Sequence, residues 1–160
     1  MTCVNLLIIN GHLLFREALR ALVKDRSDIC IVGEVCDFGD AMSAACASTI
    51  HVVVVNLALP GPQSIDMVRE LKAKQPTMKI LVLAAQSDLP TVARAIAAGA
   101  NGYLLADDGF EEMITAIHHI SAGRRYVCPA IAHDMATHVV QADLRLSPAR
   151  AASTDGHSQP

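Results

Sequence analysis

No apolar run in this chain reaches the roughly 18 residues that a membrane span requires. The amino terminus, MTCVNLLIIN, has no basic segment ahead of its short apolar run and no clear cleavage pattern, so it does not read as a secretory signal. Five cysteines, at positions 3, 30, 36, 46 and 128, form no C-x-x-C pair, and their odd number is unlike a disulfide framework or a zinc site. The loop after the first apolar run, Asn10 to Leu14, lacks the G-x-G and P-loop patterns that hold phosphate, which argues against a nucleotide- or flavin-binding enzyme of similar architecture. These absences predict a cytoplasmic protein with no membrane contact, no metal and no cofactor.

What is present reads as one domain. A chain of 160 residues is long enough to bury a real core, and 52% hydrophobic with 18% charged residues suits a parallel sheet covered on both faces by helices. Val4 to Ile9, Val52 to Val55, Ile80 to Leu83 and Gly102 to Leu105 read as buried strands. Between them, apolar residues recur at helical spacing: Phe15, Ala18, Leu19 and Leu22; Phe38, Ala41, Met42 and Ala45; Ile65, Val68 and Leu71. Asp88 and Pro90 open a fourth helix carrying Val92, Ala95 and Ile96, which Gly99 closes. Phe110, Met113, Ile114, Ile117 and Ile120 line a fifth, ending near Gly123. Alternating strands and helices predict a doubly wound α/β fold with a five-stranded parallel sheet and right-handed connections.

The side chains that could carry chemistry mostly read as structural. Cys30 falls in a predicted strand and Cys46 on a predicted helix, both as small core hydrophobes. His118 and His119 are adjacent on a helix, and His133 and His138 are five apart, so neither pair shares the i, i+3, i+4 face that a metal site needs. Arg124 and Arg125 read as a solvated turn, because nucleic-acid binding needs a basic stripe and the net charge is −3.

The strand ends are the informative places, since the carboxyl edge of an open parallel sheet is where ligands bind and chemistry is done. Here the strands run out at Asn10-Gly11, Asn56, Ala84 and Ala106, with neither charge nor nucleophile.

The segments LLIINGHLLFREALRALV, DICIVGEV, HVVVVNLALPG, KILVLAAQSD, AIAAGANGYLLADD and EEMITAIHHISAGRRYVCP, in that order, resemble the receiver domain of bacterial response regulators. They are most like the NarL/FixJ subfamily, whose members usually carry a LuxR-type helix-turn-helix output. The resemblance covers roughly Val4 to His138 and implies a flavodoxin-like receiver over 1–123, a linker helix over 124–140 starting at Pro129, and a disordered tail or linker over 141–160. LSPAR, Leu146 to Arg150, resembles the opening of an output domain, which this chain does not contain; DNA would be reached only through such a domain.

A receiver normally has an acidic pair after its first strand, a phosphoacceptor Asp after the third, a Ser or Thr after the fourth and a Lys after the fifth. The resemblance places these on Asn10 and Gly11, Asn56, Ala84 and Ala106, and all five differ from the pattern. A carboxamide is no nucleophile, Mg²⁺ needs carboxylates that this set does not offer, and phosphoryl transfer rests on metal and cation stabilisation. Two carboxylates about 4 Å apart repel by roughly 4 kcal/mol at an effective dielectric near 20, so the neutral set also removes a repulsion. Tyr103 falls where receivers place a switch aromatic, and without a hydroxyl at Ala84 it has lost its trigger. It reads either as a half-buried ring or as an interface anchor.

The function implied is an atypical, phosphorylation-independent receiver, not an enzyme, acting through protein contacts in signal transduction and transcription regulation. The alternative is a free-standing receiver-like adaptor that competes for a sensor kinase or another regulator. The sparsely charged helix TVARAIAAGA predicts a homodimer face of Val92, Ala93, Ile96 and Ala97 with Tyr103 at its rim.

Overall fold

The computed structural model describes residues 3–46, 49–57, 63–85, 88–139 and 141, the side chains of Phe38, Cys46 and Gln63 excepted. The expectations for Cys46 as a core residue, for the tail beyond Gln141 and for LSPAR lie outside what is described.

Strands and helices alternate: β1 (Val4–Ile9), α1 (Leu13–Val23), β2 (Ile29–Val35), α2 (Phe38–Cys46), β3 (Val52–Asn56), α3 (Gln63–Lys74), β4 (Lys79–Ala84), α4 (Leu89–Ala97), β5 (Gly102–Leu105), a 3₁₀ turn (Ala106–Asp108), α5 (Phe110–Ser121) and β6 (Tyr126–Val127). All strands are parallel, in the order β2-β1-β3-β4-β5-β6. The first five follow the 2-1-3-4-5 order of the flavodoxin-like fold. The core is the sheet's centre, where the four consecutive valines of β3 are all buried and Leu6 to Ile9 of β1 lie beside them. Branched side chains suit a sheet buried on both faces. Helix α3 packs between α2 and α4, while α1 and α5 wall a common groove.

Helix ends follow their local chemistry. The Asp88 carboxylate accepts from Thr91 N at 3.3 Å, capping α4. At the other end Gly99 has φ +115°, with Gly99 N donating to Ile96 O and Ala100 N to Ala95 O, both at 3.0 Å. This is the paired C-terminal bonding that a left-handed residue permits. Helix α5 closes in the same way at Gly123, through bonds from Gly123 N to Ile120 O and Arg124 N to His119 O.

Three expectations are corrected. The sheet has six strands, because Tyr126 and Val127 pair with Gly102 and Tyr103. That contact needs Gly102, where a Cβ would stand 3.0 Å from the Tyr126 carbonyl and 2.5 Å from Ile120 Cδ1. The stretch 124–128 of the expected linker is therefore turn and strand, while the helix starts at Pro129 as read and covers residues 129–139 (α6). The chain divides into two compact units at Cys128 and Pro129. Secondly, Cys30 is exposed, because β2 is an edge strand and the residue faces outward. Thirdly, the α1 stripe is only partly interior: Leu19 and Val23 are buried, whereas Ala18 is exposed and Leu22 is 50% exposed. Arg124 and Arg125 are exposed. No helix among the described residues is long and apolar enough to cross a membrane.

Candidate functional site

The sheet's registers bring the strand ends to one edge. Ile9 pairs with Val55, Asn56 with Leu83, and Ala84 with Leu105, so Asn10, Asn56, Ala84 and Ala106 end four successive strands. Asn10 is 1% exposed. Its backbone N donates to Val35 O at 3.0 Å, and its Oδ1 accepts from His12 N at 2.8 Å. An Asn side chain that bonds the backbone two residues on makes a turn by itself, and this one launches α1. The Asn10 carbonyl accepts from Arg16 Nη1 at 3.3 Å. Its Nδ2 is buried without a hydrogen-bond partner in the protein. Such an orphan donor costs about 1–3 kcal/mol.

Asn56 is half-buried at the end of β3, where Leu57 N donates to Leu83 O at 2.8 Å. Ala84 is buried, while Gly11 and Ala106 are exposed. These positions thus offer two carboxamides, two methyl groups and a glycine. Of the acids just downstream, Asp108 Oδ2 accepts from Leu105 N at 2.9 Å, which uses it as the brace of the 3₁₀ turn, and Asp107 is exposed. Among the described residues no group of three or more His, Cys, Asp and Glu could hold a metal ion. A hard divalent cation wants one or two carboxylates beside substrate oxygens. The Asn10 oxygen is already turned to His12 N, so this donor set does not fit Mg²⁺.

The flanking expectations fare differently. Tyr103 is fully buried rather than half-buried, so it is neither an exposed anchor nor the rim of a face. Strand β5 is interior, and β6 covers it: Cys128 N donates to Tyr103 O at 3.3 Å. Burial pushes the Tyr103 hydroxyl up to about 12, with the negative Asp88 adding to the shift. Val92 also faces the core, so the supposed dimer face keeps only Ala93 and Ala97, exposed, and Ile96, half-buried.

The larger apolar surface lies elsewhere. Leu13 and Leu14 are 57% and 79% exposed at the start of α1. Beside them Phe15, Ala18, Leu22, Leu105, Phe110 and Met113 line a groove of about 190 Å³ between α1 and α5. The adjacent leucines at 13 and 14 were the available signal, since neighbouring helix positions cannot both face one core.

The family model described as the response regulator receiver domain matches residues 6–118. The chain belongs to the response regulator receiver family. It is 29% identical to the response regulator UvrY of Escherichia coli O6:H1 over 145 residues, 91% of this chain and 66% of that protein. It is 30% identical to the response regulator GacA of Pseudomonas aeruginosa over 145 residues, 91% of this chain and 68% of that protein. The receiver also superimposes on a LuxR-family two-component response regulator from Aurantimonas sp. SI85-9A1, with TM-score 0.81 and 30% identity over 87% of this chain and 99% of that one. The isolated receiver of RcsB from Salmonella enterica serovar Typhimurium shares the fold, with TM-score 0.73 and 17% identity over 82% of this chain and 98% of that one. The chain therefore spans just under two thirds of UvrY.

Proposed function

We propose that this receiver works without phosphorylation, through constitutive protein contacts, as the input part of a regulator in two-component signalling and transcription control. The observation that carries this reading is the set Asn10, Gly11, Asn56, Ala84 and Ala106 at the carboxyl edge of the sheet, which supplies no carboxylate, hydroxyl or ammonium group. Phosphoryl transfer draws on positioning and on metal and cation stabilisation, so losing all of these together leaves no term to act. Its partners are a second copy and a sensor kinase or other regulator, and DNA is reached through an output domain such as those of LuxR-type relatives.

The surface offered for the second copy is α1 with α5, since the exposed Leu13, Leu14 and Leu22 flank the apolar groove there.

Incubation with acetyl phosphate and Mg²⁺ tests the reading. Intact-mass measurement is expected to show no added phosphoryl group. A phosphorylated species mapping to residues 4–128 would overturn it.

A further inference from the structure

The chain holds two Asn-Gly dipeptides, Asn10-Gly11 and Asn101-Gly102, and the fold treats them oppositely. A carboxamide followed by glycine can close into a cyclic imide, because no Cβ shields the next peptide nitrogen from the side-chain carbon. Asn101 is held against closure. Its Oδ1 accepts from Ile80 N at 3.0 Å, which draws the carboxamide sideways to β4, and its own N donates to Ile80 O at 2.8 Å. Gly102 is buried within β5, paired with Leu81 on one side and Tyr126 on the other. Asn10 is placed differently. Gly11 lies past the last paired residue of β1 and is exposed, so water and base reach its nitrogen. The Asn10 carboxamide bonds forward along the chain, its Oδ1 accepting from His12 N at 2.8 Å, which folds it over the Gly11 peptide.

We propose that Asn10-Gly11 is a self-modifying site, at which the native fold promotes deamidation of Asn10 to an aspartyl or isoaspartyl residue. Three contacts bear on the atoms that react. Arg16 Nη1 donates to Asn10 O at 3.3 Å, and a guanidinium on that carbonyl draws electrons from its peptide, so the Gly11 N–H is easier to deprotonate. His12 N, already on Oδ1, stabilises the negative charge that gathers there as the ring closes. Nδ2 is buried without a hydrogen-bond partner in the protein, so no bond holds the leaving group. In the first step Gly11 N attacks Asn10 Cγ; a C–N bond forms, the Cγ–Nδ2 bond breaks, and Nδ2 leaves as ammonia with the proton given up by Gly11. In the second, water adds to the cyclic imide. Breaking the bond from Cγ to Gly11 N yields aspartate, and breaking the bond from the Asn10 main-chain carbonyl carbon to Gly11 N yields isoaspartate. One water is consumed and one ammonia released. The aspartyl product puts a carboxylate among the neutral strand ends, whereas the isoaspartyl product adds a methylene to the main chain between β1 and α1. Neither makes Asn56 a nucleophile, so this modification is independent of whether the receiver is phosphorylated.

The test keeps the freshly purified full chain in mildly alkaline buffer for days, with a parallel sample in concentrated urea, and follows both dipeptides by digestion and mass measurement. Deamidation is read as the mass gain of exchanging NH for oxygen, and electron-transfer fragmentation separates the aspartyl from the isoaspartyl product. In the native chain Asn10 is expected to react at least as fast as it does in urea, and Asn101 many-fold more slowly than it does in urea. Arg16→Met should slow Asn10 several-fold in the native chain and leave its rate in urea unchanged. Gly11→Ala should slow it in both, because a Cβ then hinders attack by the next nitrogen. Circular dichroism establishes that each variant is folded, and the comparison of the parent with and without urea needs no variant. A native rate at Asn10 below its rate in urea, a native Asn101 as fast as in urea, or an unchanged native rate in either variant would each overturn the proposal.

Discussion

His118 Nε2 lies 2.7 Å from Asp28 Oδ2, joining α5 to the entrance of β2 across 90 residues of chain. The same carboxylate accepts from Arg26 Nε at 3.0 Å and Nη2 at 2.9 Å, a bidentate pair. The Arg26 guanidinium, helped by His118, holds the Asp28 carboxyl well below the usual carboxylate range against the opposing effect of partial burial. A depressed folded value means that this contribution is present above about pH 4 and fades as pH falls from there toward the folded value. Asp28→Asn is expected to cost about 1 kcal/mol at neutral pH, the scale of a partly exposed ion pair. In urea unfolding the gap between parent and variant should close on acidification; a gap that stays constant from pH 7 to pH 3 would show that Asp28 does not act through its charge.

Restoring the acids tests the neutral pocket from the other side. The double variant Asn10→Asp, Asn56→Asp is expected to melt below the parent in the presence of a chelator, because carboxylates about 4 Å apart repel by roughly 4 kcal/mol at an effective dielectric near 20. Millimolar Mg²⁺ should recover part of that loss in the variant and leave the parent unchanged. A ligand at about 100 times its dissociation constant adds roughly 2.7 kcal/mol, so thermal scans resolve the difference. A specific, saturable Mg²⁺ shift in the parent would mean that other carboxylates complete a site there.

The two candidate faces separate by mass. Light scattering at micromolar concentration is expected to find dimers of the native chain without any phosphodonor. Leu14→Glu on α1 should yield monomers, because it places a charge in the most exposed apolar position of the groove's rim, 79% exposed. Ile96→Glu on α4 should leave the mass unchanged. The reverse pattern would return the interface to α4, and a monomeric parent would leave only a different protein as partner.

Tyr103 gives an alkaline counterpart. Its hydroxyl is raised to about 12 by burial, above the ordinary tyrosine value near 10. The folded state therefore holds that proton where the unfolded chain releases it, and stability is lost as pH rises from about 10 to 12. Tyr103→Phe removes the titrating group and should lose less stability over that window in denaturant melts. Equal losses in parent and variant would contradict the assignment. Tyr103→Ala at neutral pH should cost about 3–5 kcal/mol, as for other large buried rings.

The order of elements was legible from the sequence because each signal was local. The valines at 52 to 55, the Asp88 cap, and the glycines at 99 and 123 each dictate backbone form within a few residues, and all stand as read. The strand-end residues were legible too, since a parallel sheet with helical crossovers must place Asn10, Asn56, Ala84 and Ala106 at one edge. What only the tertiary structure decided was which side of a residue meets another element. Cys30 is exposed because β2 is the sheet's edge, and Tyr103 is fully buried because β5 is not. Val92 turns inward while Ala93 and Ala97 face out, and α1 leaves Leu14 and Leu22 uncovered although its pattern is amphipathic. The partner that covers Tyr103 lies more than twenty residues further along the chain, in β6, which pairs with Gly102 and Tyr103. Periodicity specifies which residues share a face; only packing specifies what, if anything, covers it.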